Sequence, residues 1–310
     1  MINTVTINTA IDKMITVEKM DIGGVNRIES IQIDPGGKGV NVSRVIRRLG
    51  GDTVALGFVG GGMGRCIIHC LKKERVPTDF VEVEGETRVN LSFMERSKKT
   101  VTSFHEMGHR VREIELEILK DKVKGWLAET KIVVLSGSVP PGIPRGIYKE
   151  LIFLIKSRGV KVFLDTHGRP LKEGIKAGPY LVKPNLDEMK ELTGSPLSSD
   201  EDIVRSGKYL TKSGVDIGIV SMGERGAYIF TEDKTLRAVA PRIEMLSTIG
   251  SGDSMIAGLA LSLARGDSLE DAISLGVAAG AATAMTMGTE LCRRDDVVRL
   301  KKEVKIMEVH

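Results

Sequence analysis

The chain has 310 residues, 41% of them hydrophobic and 28% charged, a mixture that fits a globular protein with a substantial core and not a disordered or fibrous one. Its formal charge of +4 balances 45 basic against 41 acidic residues with no dense basic run, which speaks against nucleic acid as a partner but favours attraction of phosphorylated metabolites. The three cysteines form no disulfide framework and charged residues interrupt every long apolar segment, so a cytoplasmic protein without a membrane span is expected.

Residues 1–9 alternate apolar and polar side chains and lack a charged stretch before an apolar core, so they predict a first strand and not a signal peptide. Residues 27–33 set Ile28, Ile31 and Ile33 among polar neighbours, and the loop that follows leads into a helix through Arg48. From there apolar runs alternate with amphipathic ones: strand 53–59 and helix 65–75, strand 132–136 and helix 145–157, strand 160–165 and helix 169–176. Strand 180–183 and helix 186–193 continue the rhythm, and helix 201–213 precedes strand 217–221. Such alternation predicts an α/β fold with a mostly parallel sheet and crossover helices. Residues 88–104 break it, reading as two strands joined at Arg96-Ser97-Lys98-Lys99, and with 27–33 they suit an inserted antiparallel flap. Residues 253–287, rich in Ala, Gly, Leu and Ile, predict two buried helices packed through small side chains.

Two loops carry the chemistry. Gly250-Ser251-Gly252-Asp253 stands directly before a helical run. Glycines there let successive backbone N–H groups point into one concavity, which with the helix dipole can hold a developing phosphate anion. Asp253 at its mouth could take the proton of an attacking alcohol. The same four residues would also serve as an ordinary helix start. The second loop, Asp34-Pro35-Gly36-Gly37-Lys38-Gly39-Val40-Asn41, brings backbone close to a ligand and offers Lys38 and Asn41 to hydroxyl or phosphate oxygens. Its spacing is not that of a Walker A loop.

Three other patterns invite different chemistry. His105-Glu106-Met107-Gly108-His109 matches the zinc-protease pattern, but it follows a predicted strand and contains a glycine that weakens a helix. The glycines of residues 57–64 lack the spacing of a dinucleotide-binding turn. Cys66, His69 and Cys70 lie within one helical turn or so, an arrangement more typical of core packing than of a zinc site.

The two glycine loops, in this order and about 210 residues apart, resemble the two signatures of the PfkB, or ribokinase-like, family of carbohydrate kinases. The resemblance extends over nearly the whole chain, through Thr6-Ile7-Asn8-Thr9-Ala10-Ile11-Asp12, Gly57-Phe58-Val59-Gly60, Thr87-Arg88-Val89-Asn90, Ser136-Gly137-Ser138-Val139-Pro140, Lys183-Pro184-Asn185-Leu186-Asp187-Glu188 and Ser221-Met222-Gly223-Glu224-Arg225-Gly226. It implies a single domain over residues 1–310 with a three-layer fold, a central mostly parallel sheet flanked by helices, and a small β-sheet lid from about 13–33 and 88–105. It also implies a homodimer paired through that lid.

Within the family the pattern looks closest to the hexose-phosphate kinases, acting on fructose 1-phosphate, tagatose 6-phosphate or fructose 6-phosphate, and fructose 1-phosphate giving fructose 1,6-bisphosphate is the expected reaction. By that resemblance Asp253 is the catalytic base and Gly250, Ser251 and Gly252 form the anion hole. Asp12, Gly36, Gly37, Asn41 and Asn90 line the sugar site, with Arg27, Lys38, Arg88 and Ser138 for the substrate phosphate. Lys183, Asn185, Ser221, Gly223 and Gly226 belong to the ATP site, and Glu188 organises Mg²⁺ through water, as suits a cation that keeps much of its hydration. Thr9, Ser251 and the His105–His109 segment depart from the usual pattern, the last at the presumed sugar end. A catalytically silent sugar-phosphate-binding regulator on the same fold is the rival reading, against which the retention of Asp253, Glu188 and Asn185 argues.

Overall fold

Every residue of β1 (Ile2–Thr6) is buried, which a strand can satisfy only inside a sheet covered on both faces. The chain then leaves this sheet for a smaller one, through β2 (Ala10–Val17) and β3 (Ser30–Gly36), and returns by α1 (Lys38–Arg48) to β4 (Thr53–Val59). Helix α2 (Gly61–Lys73) leads to β5 (Thr78–Glu82), after which β6 (Arg88–Glu95) and β7 (Thr100–His105) complete the small sheet. A βα series follows: α3 (Glu113–Trp126), β8 (Ile132–Ser136), α4 (Ile147–Lys156), β9 (Lys161–Asp165), α5 (Gly168–Ile175), β10 (Leu181–Val182), α6 (Leu186–Thr193), α7 (Asp200–Lys212) and β11 (Ile217–Ser221). The chain ends with hairpin β12 (Ala227–Phe230) and β13 (Thr235–Val239), the helices α8 (Ser251–Arg265), α9 (Leu269–Ala284) and α10 (Arg294–Lys301), and β14 (Lys305–Val309). This computed structural model describes residues 1–309.

The large sheet has the order β14-β13-β12-β11-β10-β9-β8-β1-β4-β5 and is parallel from β11 to β5. Period-2 alternation divides its side chains between two cores. Val133 and Leu135 of β8 join Leu119, Leu151 and Ile203 of α3, α4 and α7 on one face. Ile132 and Val134 join Val45, Ile256 and Ile273 of α1, α8 and α9 on the other. Burying nearly all of a five-residue Ile/Val/Leu strand this way contributes several kcal/mol per strand before conformational entropy is counted. The close packing of α8 on α9 depends on Gly258 and Gly276, where an added Cβ would lie 2.7 Å from the Leu275 carbonyl and 2.8 Å from a Leu259 methyl-bearing carbon respectively.

The small sheet has the order β3-β2-β6-β7, with β2 and β6 parallel and the outer pairs antiparallel. It starts at Ala10 and reaches Gly36, so its first hairpin is longer than the 13–33 expected from sequence: the motif residues 10–12 and 34–36 are themselves paired, Ala10 with Gly36 and Asp12 with Asp34. Residues 27–29, predicted as strand, lie in the connection between β2 and β3. The hairpin β12–β13, helix α10 and β14 were not anticipated. No helix among the described residues is long and apolar enough to cross a membrane.

Candidate active site

The strand order reverses between β1 and β8: the chain runs outward to β4 and β5 on one side and to β9, β10 and β11 on the other. Connections leave in opposite directions there, opening a crevice beyond the carboxyl ends of the strands, where open α/β sheets bind ligands. A cleft of about 1320 Å³ lies at this edge, roofed by the small sheet and walled by the start of α8. The C-terminal ends of β1, β8, β10 and β11 deliver to it Asn8, Ser138, Lys183 and Ser221, and Asp165 at the end of β9 lies buried beneath them against Lys38 and Lys183.

At the centre, Gly250 adopts φ 75° and ψ −3°, a left-handed conformation that glycine reaches without steric cost and that starts α8 abruptly. The Ser251 N–H turns back to the Thr248 carbonyl (3.3 Å), while those of Gly252 and Asp253, in the first helical turn, have no intrahelical acceptor. A Cβ on Gly252 would lie 3.3 Å from Lys183 Nζ, so the ammonium and these amides address the same point. Asp253 is 7% exposed and accepts a 2.9 Å hydrogen bond from Asn41 Nδ2 at its Oδ2. Burial pushes its pKa up to about 7; Lys38, Asn41 and Lys183 oppose the rise and Asp165 adds to it.

Lys38 donates to Asp165 Oδ2 at 3.3 Å and lies 3.8 Å from Glu188 Oε1. Burial by itself would favour the neutral amine, but Asp165, Asp253 and Glu188 outweigh it and raise the Lys38 pKa. Lys38 therefore lines the cleft with carboxylates of β9 and α6 beside it. Asp165, whose side chain is fully buried, also faces Lys183 Nζ at 3.5 Å, and burial of the carboxylate is overcome by the two ammonium groups, which hold its pKa low. Asp165 was not singled out from the sequence; an acidic residue closing a parallel strand at the site edge was the available signal. Asn185 and Glu188 form a reciprocal capping box on α6, each side chain bonding the other's N–H at 2.8 Å. The box fixes the Glu188 carboxylate at the cleft wall with Oε1 turned toward Lys38. Beyond it lie Ser221, Gly223 and Gly226, facing an apolar slot lined by Ile243, Val277, Ala281 and Ala284.

The opposite end is built by the small sheet and the end of β1. A Cβ on Gly36 would collide with the Asp12 carboxylate, so this glycine lets β3 pass close to it. Asn90 Nδ2 donates to Asp12 Oδ1 at 2.8 Å. Burial raises the Asp12 pKa, with Asn90, Arg88 and His105 opposing. Arg88 donates to the carbonyls of Glu106 (2.9 Å) and Asn8 (3.1 Å), leaving its buried Nε without a partner. Asn8 reaches Ser138 Oγ (3.0 Å) and the Met107 carbonyl (3.1 Å). Gly37, Lys38, Asn41, Arg88, Asn90 and Ser138 all line the cleft. Arg27 does not: it is exposed in the connection between β2 and β3.

The remaining sequence patterns resolve simply. His105 ends β7 and His109 lies in coil beyond it, so they do not share a helix face as a zinc protease requires. Cys66 and Cys70 lie on α2, where Cys66 packs against the core of Ile11, Val40 and Leu71.

A family model described as pfkB family carbohydrate kinase matches residues 3–296. A 1-phosphofructokinase of Borreliella burgdorferi is 35% identical over 100% of this chain and 99% of its own. A tagatose-6-phosphate kinase of Staphylococcus epidermidis is 29% identical over the full length of both. Among solved structures, phosphofructokinase-2 of Escherichia coli, captured with potassium, superposes with a TM-score of 0.91 at 31% identity over 97% of this chain and 98% of that one, and its inhibited form is a tetramer. The large sheet with its small separate sheet is the ribokinase-like fold, and the chain belongs to the pfkB family of carbohydrate kinases.

Proposed function

We propose that this kinase transfers the γ-phosphoryl group of ATP to a hydroxyl of a hexose phosphate, with fructose 1-phosphate giving fructose 1,6-bisphosphate as its preferred reaction. The single observation that carries the chemistry is the placement of Asp253: a buried carboxylate oriented by Asn41, between the free amides of α8 and the polar face of the small sheet. The relatives named for fructose and tagatose phosphates support the acceptor class.

In this reading the acceptor hydroxyl passes its proton to Asp253 as its oxygen attacks the γ-phosphorus in line. The new P–O bond forms as the bond to the β-phosphate bridging oxygen breaks, and ADP leaves. The N–H groups of Gly252 and Asp253 with Lys183 face the charge that spreads over the transferring oxygens, and Lys38 guides the two substrates together. Positioning and electrostatics supply most of the acceleration, and no covalent enzyme intermediate forms. Glu188, at the cleft wall, offers the hard carboxylate oxygen that Mg²⁺ favours and would hold the ion through water, and the ion when bound would neutralise phosphate charge. The adenine end fits the apolar slot beside α9. At the other end Arg88 and Ser138 take the acceptor's phosphate, the unpaired Nε of Arg88 supporting that role.

A homodimer through the small sheet belongs to the same reading. Ile31, Ile33 and Phe104, all at least half exposed, share the face of that sheet turned away from the cleft. Arg27, outside its own cleft, is then available to the paired subunit's surface. A concentration-independent monomer mass in solution would refute this.

The activity is tested by ADP release from MgATP with fructose 1-phosphate, fructose 6-phosphate, tagatose 6-phosphate, fructose and ribose. Turnover confined to one sugar phosphate supports the reading and names the acceptor. Preference for an unphosphorylated sugar overturns the roles of Arg88 and Ser138, and silence throughout favours a binding-only protein.

A further inference from the structure

The mechanism leaves one prominent side chain of the cleft without work. His105, the last residue of β7, lines the sugar end of the cavity. Register puts it in a single cross-strand row over the whole small sheet: Asp34 of β3 pairs with Asp12 of β2, Asp12 with Asn90 of β6, and Asn90 with His105 of β7. Directly opposed residues share a face, so these four polar side chains stand side by side. The next row on that face holds Gln32, Met14, Ser92 and Ser103, where the two serine hydroxyls are bonded at 2.9 Å. The residues between the rows, Ile33, Leu91 and Phe104, point to the other side. The face turned to the cleft is therefore built for hydroxyl groups.

Within the row, hydrogen bonding is incomplete at one place. Asn90 gives its amide N–H to Asp12, but its carbonyl Oδ1 is buried and accepts nothing. Its cross-strand neighbour is His105, whose imidazole can donate from one nitrogen and accept at the other. A carbinol hydroxyl lying between them would donate to Asn90 Oδ1 and accept from the His105 N–H, satisfying both. Inverting that carbon would carry the hydroxyl away and leave both groups unpaired. Sites that hydrogen-bond a hydroxyl discriminate against its absence far more sharply than apolar pockets discriminate by size.

Fructose and tagatose differ only in the configuration at C4, and both sugars appear in the names of full-length relatives. Resting on the hexose-phosphate reading, we propose that His105 is a specificity-determining residue which, with Asn90, reads the C4 configuration of the bound ketohexose phosphate. The reacting hydroxyl and the acceptor's phosphate are held by other residues, so His105 acts on acceptor affinity and epimer choice and leaves donor binding to the opposite end of the cleft.

The test uses the full-length protein, wild type, His105→Ala and His105→Gln, with matched fructose and tagatose phosphates carrying the phosphate at the same carbon. Wild type is expected to prefer one epimer, and His105→Ala to collapse the kcat/KM ratio between epimers by about tenfold or more, through the KM of the preferred acceptor. The KM for ATP should stay within about twofold, and His105→Gln, which keeps a donor and an acceptor, should restore part of the ratio. Equal use of both epimers by wild type overturns the inference, as does an unchanged ratio in His105→Ala or equal loss on both epimers without rescue by Gln. If wild type phosphorylates neither sugar phosphate but does phosphorylate another acceptor, the hexose-phosphate reading fails first, and that result is distinct from a failure of His105 in an active hexose-phosphate kinase.

Discussion

The two ends of the cleft are organised by different physics. Around Asp253 the side chains bind one another: Lys38 and Lys183 hold Asp165, Asn41 holds Asp253, and Asn185 and Glu188 lock each other at the start of α6. At the small-sheet end, Asn8 Oδ1, Asn90 Oδ1 and Arg88 Nε are buried without partners, whereas the unpaired buried atoms around Asp253 are Ser251 Oγ and Asp165 Oδ1, the latter 3.5 Å from the Lys183 ammonium. Such vacancies are costly inside a protein unless something fills them, so an end that carries several is arranged for a ligand's hydroxyls and phosphate. On the proposed function, the contrast means that the charged groups at the transfer end already pair with one another, whereas the acceptor end keeps donor and acceptor capacity for the acceptor.

The sharpest way to break this contrast is at Asp253. Asp253→Asn keeps the shape and the Asn41 neighbour but removes the base, and kcat should fall by about 10²–10⁴-fold with acceptor KM little altered. Full turnover by this variant would sink the mechanism. Stability should move the other way. The folded-state pKa of about 7 lies above the unfolded value, so whatever stability this carboxyl adds is complete at low pH and is lost as pH rises through 7. At pH 8 the asparagine variant should therefore melt a few degrees above wild type, and below pH 4 the difference should vanish. In wild type, kcat/KM should decline about tenfold per unit as pH falls below 7, following protonation of the base.

Asp165→Ala tests the transfer end through folding. It removes the carboxylate that Lys183, 4% exposed, faces at 3.5 Å and leaves Asp253 as its remaining acidic neighbour, and breaking a buried ion pair typically costs about 3–5 kcal/mol. Chemical denaturation should show a loss of that order along with a large fall in kcat, while a loss under about 1 kcal/mol would mean that water or rearrangement already screens the pair. Arg88→Ala tests the acceptor end. Acceptor KM should rise by about tenfold or more with ATP KM unchanged, and Arg88→Lys should recover little, because a point charge cannot replace the fork that reaches the Asn8 and Glu106 carbonyls.

The same division governs what could be read from the sequence. Strands 53–59, 132–136 and 217–221 are found where predicted, because strands buried on both faces read as continuous apolar runs bounded by polar residues. Helix 186–193 also coincides, since its capping box is written locally as Asn185 and Glu188. Strand β14 escaped because it pairs with a segment about seventy residues away, Val239 opposite Lys305, and has no buried residue, whereas the hairpin β12–β13 is local, Phe230 opposite Thr235, and its short strands went unanticipated. The glycine loops and Asp253 stood out by order and spacing, and the fold brings both loops to one cleft. The carboxylate neighbours of Lys38 did not stand out, since only the fold brings Asp165 and Glu188 to it, and neither did the row from Asp34 to His105, which exists only through cross-strand register.

The smallest expected effect lies where the small sheet rejoins the body. His109 follows Gly108 after β7, and neither ring nitrogen has a well-formed hydrogen-bond partner. Burial lowers its pKa, against the pull of the Glu115 carboxylate and the Glu86 backbone. An imidazole in the unfolded chain takes up its proton near pH 6.5, whereas the folded protein resists doing so. The unfolded state thus binds more protons as pH falls from 6.5 through the lower folded pKa, and stability present above 6.5 is lost across that window. Wild type should therefore show a steeper fall in Tm between pH 7.5 and pH 5.5 than His109→Leu, by about one to two degrees for this half-buried group. Parallel Tm profiles would mean that the ring is protonated as readily in the folded protein as in the unfolded chain, and that the junction accommodates the charge by opening to water.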